Sequence, residues 1–157
     1  FLQVQLKDWE NLNLLPGKSS IFFEGSFVGQ GYINTKNAKE TLDLSLGRDK
    51  KIIINRENDK QMTAKSEFFG NSVSQQYSYV MDVKNTRKEP IKLVVLDQVP
   101  MSRDSAITVD GLKYDSASYN KDTGEVQWTL DLTPNQAQKL SLSYTVKYPK
   151  DQRVTGL

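Results

Sequence analysis

Three features of the sequence predict an all-β protein: an antiparallel immunoglobulin-like β-sandwich with a second, smaller β-rich subdomain. Apolar and polar residues alternate through run after run, the period of strands with one buried face. All five prolines, Pro16, Pro90, Pro100, Pro134 and Pro149, stand at the edges of apolar runs, where a missing N–H costs little. Strands recur roughly every 8–12 residues between turn signals, the spacing of a sandwich or barrel.

Taken in order, Phe1 to Leu6 already reads as a strand. A chain that opens on Phe in mid-strand reads as a piece cut from a longer protein. Glu24-Gly25-Ser26 is a hairpin signal, and the crowded glycines from Gly25 to Gly31 are expected to mark a bulge or close backbone packing. Leu42, Leu44 and Leu46 alternate as a strand, and Leu46-Gly47-Arg48-Asp49 reads as a hairpin. Ile52 to Ile54 is apolar on both faces, which suits a central strand. The polar run Arg56 to Lys65 has the best helical character, yet few apolar residues, and reads as a connector. It divides the chain into residues 1–62, a β-rich subdomain incomplete at its N-terminal side, and residues 63–157, the immunoglobulin-like sandwich. Alternation gives the first part roughly five strands and the second about seven, the number of an immunoglobulin-like domain.

Within the second part, Tyr77, Tyr79, Met81 and Val83 line one strand face. Ile91 to Leu96 is apolar on both faces apart from Lys92, again a central-strand pattern. Asp110-Gly111 and Asp122-Thr123-Gly124 are hairpin signals. Val126, Trp128, Leu130 and Leu132 face one way, as do Leu140, Leu142, Tyr144, Val146 and Tyr148. Arg48 to Lys51 and Lys84 to Glu89 mix charge signs and read as solvated turns.

Composition narrows the chemistry. The 157 residues suffice for one core or for two small modules. A net charge of +2 lacks the basic stripe of a nucleic-acid binder. No run of about 18 apolar residues offers a membrane span, and no charged start precedes an apolar run as in a signal peptide. Cysteine and histidine are both absent, which excludes disulfides, Cys/His zinc sites, and thiolate or imidazole catalysis. No metal or other cofactor is expected. Asn120 to Glu125 superficially resembles a calcium loop, but it is poor in carboxylates, carries Lys121, and reads as a hairpin. Phosphate-loop and Gly-x-Ser-x-Gly patterns are missing. Asp97, after the apolar run Ile91 to Leu96, is the outstanding carboxylate among Asp49, Asp82, Glu24 and itself; it reads as a cap on the following loop. Most aromatics, among them Trp9, Phe22, Phe23, Phe27 and Tyr32, are expected in the core. Phe68, Phe69, Tyr114 and Tyr119 are the candidates for a ligand-stacking patch.

Five segments together resemble one family. These are Leu14-Leu-Pro-Gly-Lys-Ser-Ser-Ile-Phe-Phe-Glu-Gly-Ser-Phe-Val-Gly29, Leu42-Asp-Leu-Ser-Leu-Gly-Arg-Asp-Lys50, Asp97-Gln-Val-Pro-Met-Ser102, Thr123-Gly-Glu-Val-Gln-Trp-Thr-Leu-Asp-Leu132 and Tyr144-Thr-Val-Lys-Tyr-Pro-Lys-Asp151. They look like the C-terminal domain of unknown function in mucoidy-inhibitor A family proteins, especially those of Bacteroides-like bacteria. The resemblance implies a parent with a signal peptide, an N-terminal β-rich domain and a helical middle, set in the periplasm or at the cell surface. It carries over no catalytic residue. The expected function is therefore a non-catalytic structural or protein–protein interaction module. Its partner would be another protein or the rest of the parent chain, met at a free sheet edge or at the Leu46 to Asp49 segment. The alternatives are a carbohydrate-binding module stacking glycans on exposed aromatics, and a carboxylate-based hydrolase built on Asp97, which needs a second carboxylate across a groove.

Overall fold

Alternation in the sequence becomes antiparallel pairing throughout. The computed structural model describes residues 2–23, 25–35, 41–45, 47–60, 62, 67–152 and 154, leaving out the side chains at 28, 41, 43 and 67–69. The chain forms two compact units, Phe1–Lys50 and Lys51–Leu157.

The first unit has two separate ribbons. Strand β1 (Gln3–Lys7) pairs with β4 (Thr41–Ser45), and β2 (Gly17–Phe23) pairs with β3 (Ser26–Ile33). A single 3₁₀ turn, Trp9–Leu12, buries Trp9 between left-handed residues Asp8 and Asn13. The expected β2–β3 hairpin forms; Gly25 takes φ 77°, the left-handed conformation a tight turn needs. The glycine-rich segment does carry a bulge: Ile21 faces Gly29 and Phe22 faces Phe27, so Val28 is the extra residue. Glu24 and Leu46 lie outside the described residues.

The second unit has two sheets. One runs β5 (Ile52–Asn58), β7 (Ser72–Asn85), β12 (Ala137–Pro149), β9 (Thr108–Tyr114), with the short β6 (Glu67–Phe69) also on β7. The other runs β10 (Ser118–Tyr119), β11 (Glu125–Leu132), β8 (Ile91–Gln98). Both sheets send alternate side chains into one core. Tyr79, Met81, Val83, Leu140, Leu142, Tyr144 and Val146 come from the first, and Val95, Val126, Trp128, Leu130 and Leu132 from the second. The residues expected to face inward on β7, β11 and β12 do so; Tyr77 and Tyr148 at the margin are half-buried. Truncating a fully buried aromatic such as Trp128 to alanine costs about 3–5 kcal/mol.

Several expectations change. Ile52 to Ile54 belongs to β5, which pairs with β7 over Ile52↔Asn85 to Asn58↔Tyr79. It therefore joins the second unit, and the division falls at residue 50 rather than 62. Arg56 to Asn58 are strand, not connector; residues 61 and 63–65 of that run lie outside the described residues. Neither β5 nor β8 is central, because each ends its sheet. A run apolar on both faces signals burial only if something covers both, and here Ile53, Ile54, Val94 and Leu96 stay about half exposed. The strands flanking the expected hairpin at Leu46 to Asp49 are paired elsewhere among the described residues, β4 with β1 and β5 with β7; Leu46 itself lies outside those residues. Gly111 is not a hairpin turn either. It sits inside β9 at φ 64°, where the register with β12 slips between Ser143 and Thr145.

The sheet slots can be compared with the immunoglobulin arrangement, four strands ordered A-B-E-D against three ordered C-F-G. Strands β5, β7, β8 and β9 occupy slots A, B, C and D. The last three strands then fill G, F and E, the reverse of the immunoglobulin chain order.

The ends of the core are closed by polar contacts. Asn85 is fully buried and donates from Nδ2 to the carbonyls of Glu89, Leu132 and Thr133 at 3.0, 3.2 and 3.1 Å. Its Oδ1 accepts the Arg87 amide at 2.9 Å. One side chain thus ties the β7–β8 turn to the β11–β12 turn. Asp115 plays a similar part between β9 and β10: its carbonyl accepts Trp128 Nε1 at 2.7 Å and its Oδ2 accepts the Ser141 hydroxyl.

Candidate functional site

The β2–β3 hairpin sorts its side chains by face. Lys18, Ser20, Phe22, Ser26, Phe27, Gln30 and Tyr32 are exposed, whereas Gly17, Ser19, Ile21, Phe23, Gly29, Gly31 and Ile33 are half-buried. The exposed face carries three aromatics, Phe22 at 66%, Phe27 at 58% and Tyr32 at 65% of full exposure. The bulge that inserts Val28 brings Phe22 opposite Phe27, and their rings meet edge to face at 5.6 Å and 64°. Tyr32 lies opposite Lys18 on the same face. Leaving such rings in water forgoes about 1.5–3 kcal/mol each, so the core does not explain them. Alternation in the sequence does not place these aromatics, and the expectation that most aromatics fill the core does not hold for these three; alternation locates a strand's two faces without telling which one is covered.

The stacking candidates fare unevenly. Tyr114 on β9 and Tyr119 on β10 do come together, with ring centroids 6.2 Å apart. Their planes tilt by 41°, and Tyr119 packs partly against the core. The pair closes the open side between the two sheets more than it offers a flat platform. The side chains of Phe68 and Phe69 lie outside the described residues.

Asp97 sits on the opposite open side. It continues the inward-facing series Ile91, Leu93, Val95 on β8, and is only 15% exposed. Its Oδ2 accepts Arg56 Nε at 2.8 Å and its Oδ1 accepts the Gln98 amide at 2.8 Å. Arg56 belongs to β5 of the other sheet, and its guanidinium carbon stands 3.7 Å above the Tyr79 ring centre. Burial alone would lower the Arg56 pKa, but the hydrogen-bonded Asp97 carboxylate reverses this and the net shift is upward. Behind it, Tyr144 stacks on Tyr77 at 5.6 Å and tilts against Tyr79 at 6.1 Å. Burial first, then a hydrogen bond with Tyr79, holds the Tyr144 phenol well above the usual tyrosine range. Burial raises Tyr77 as well.

Asp97 is therefore engaged as an inter-sheet ion pair. Its Gln98 contact retains part of the capping role read from the sequence, while the link to Arg56 was not legible there. Among the described residues, no three acidic side chains gather closely enough to hold a metal. The Asn120 to Glu125 loop spends its best oxygen on itself: Asn120 Oδ1 accepts the Asp122 and Thr123 amides at 2.9 and 3.3 Å. Among the described residues, no helix is long and apolar enough to cross a membrane.

A family model described as a domain of unknown function (DUF4139) matches residues 4–150. Protein F37C4.5 of Caenorhabditis elegans is 25% identical over 166 residues, covering 98% of this chain and 30% of that protein. The chain thus spans about a third of the length of this curated relative. No solved structure matches.

Proposed function

The chain belongs to the DUF4139 family of unknown-function domains, and from that premise we propose that it is a non-catalytic interaction module within a larger protein. Its contact face is the exposed side of the β2–β3 hairpin. The observation that carries this reading is the row Phe22, Phe27 and Tyr32, three large aromatics held in water on one face of a two-stranded ribbon. Exposed aromatics of this kind anchor protein–protein contacts. We read the second unit as the scaffold, immunoglobulin-like in the division of its strands between layers. The mucoidy-inhibitor A resemblance supports a parent in a bacterial periplasm or at the cell surface, with another envelope protein or the remainder of the parent chain as the proposed partner.

This reading favours binding over reaction because Asp97 is engaged with Arg56 rather than facing a second carboxylate across a groove. The glycan alternative draws less support from Tyr114 and Tyr119, whose planes are tilted. The test is photo-crosslinking from position 27 in the full-length parent. An adduct that disappears in the Phe22→Ser variant supports the hairpin face. Turnover of glycosides by the chain, lost in Asp97→Asn, would replace it with the hydrolase reading, and saturable binding on a glycan array would favour the sugar-binding one.

A further inference from the structure

Strand β5 is attached to its sheet almost entirely through its backbone. Six of its seven residues are exposed and the seventh, Ile52, is half-buried. None of its side chains belongs to the buried core or to the half-buried residues packed on it. The Asn55 to Glu57 hydrogen bond, at 2.7 Å, stays within the strand. Of the β5 side chains, Arg56 reaches out: it grips Asp97 of the opposite sheet and covers Tyr79. At its start, Thr86 donates from its amide and its hydroxyl to the Lys51 carbonyl at 2.8 and 2.7 Å. Meanwhile β7 remains paired with β12 along Ser72 to Lys84 on its other side. Loss of β5 would therefore leave both the long β7–β12 ladder and the core in place.

Elements with few buried apolar contacts and exposed backbone hydrogen bonds open at much lower free energy than the core. We propose that β5 is a releasable strap: it peels from β7 in a local opening gated by the Arg56–Asp97 clasp, while the remainder of the second unit stays folded. Release lays bare the β7 edge from Tyr79 to Asn85, a row of unpaired backbone groups able to accept another strand. It also returns Ile52 to Asn58 to the chain joining the two units, since β5 is the first strand after the division. The half-exposed Ile53 and Ile54 fit an element that does not owe its place to burial.

The test is native-state hydrogen exchange on the whole chain, comparing β5 amides bonded to β7 with β12 amides. In the wild type the β5 set should exchange about 100-fold faster or more. Asp97→Asn should speed it by a further factor of about three to ten, allowing for the partial exposure of Arg56, with β12 changing less than about twofold. Arg56→Gln should do the same through the other partner. Equal exchange of β5 and β12 in the wild type would overturn the proposal. So would equal acceleration of both sets, or of neither, in the two variants.

Discussion

Replacing Asn85 is the sharpest test of how the second unit holds its shape. Asn85→Ala removes four hydrogen bonds at the closed end of the core, those to the carbonyls of Leu132, Thr133 and Glu89 and that from the Arg87 amide, while the Thr133 carbonyl keeps the Gln136 amide at 3.1 Å. Each buried polar group left unsatisfied costs about 1–3 kcal/mol. The Leu132 carbonyl is buried while the others reach partial solvent, so water recovers some of this and the expected loss is about 3–4 kcal/mol. For a unit of this size that lowers Tm by about 12–25 °C. Asn85→Asp is nearly isosteric, yet at neutral pH it sets a carboxylate against three carbonyls and should cost more than alanine. The folded state would then raise the pKa of the introduced carboxyl. Relative to alanine, stability should be regained below the unfolded carboxyl value of about 4 and lost as pH rises through the folded one. The assay is urea and thermal unfolding followed by Trp128 emission in a Trp9→Phe background, which isolates the second unit because the two tryptophans lie in different units. A loss below about 0.5 kcal/mol in Asn85→Ala would refute the reasoning, since that is the range of ordinary surface changes.

Three further outcomes follow. Gly124→Ala should lose about 2–4 kcal/mol in the same assay, because φ is 74° and an added Cβ would stand 2.5 Å from the Val99 carbonyl oxygen. Thermal melts from pH 8 to 12 should show stability holding to about pH 10 and falling above it, as the unfolded state releases tyrosine protons that the folded state retains on Tyr144; Tyr144→Phe should flatten that alkaline limb. Phe22→Ser and Phe27→Ser should each change unfolding free energy by less than about 1 kcal/mol, since both rings already stand in water; a larger loss by urea titration would assign them to folding instead of contact.

Much of this architecture is legible in the chain because a buried strand face writes itself as period two. Val126, Trp128, Leu130 and Leu132 were readable as a core face without coordinates, and so was the turn at Gly124. What alternation does not encode is the neighbour. Ile52 to Ile54 and Ile91 to Leu96 carry the pattern of strands covered on both faces, yet each stands at a sheet edge. Arg56 and Asp97 are 41 residues apart, and their link exists because two sheets meet along one open side. Asn85 lies in a charged stretch that reads as a solvated turn, but fold-level closure buries it completely. The hairpin aromatics were hidden for the opposite reason: strands show two faces, and only the tertiary structure shows that Phe22, Phe27 and Tyr32 are on the uncovered one.

The central claim is that this chain works by contact through the β2–β3 hairpin. Photo-crosslinking in the full-length parent, from position 27 on the hairpin and from position 121 on the β10–β11 turn, addresses it most directly. A specific adduct is expected from position 27, abolished by Phe22→Ser, and none from position 121. An adduct from position 121 alone, or one from position 27 that is indifferent to Phe22→Ser, would contradict it.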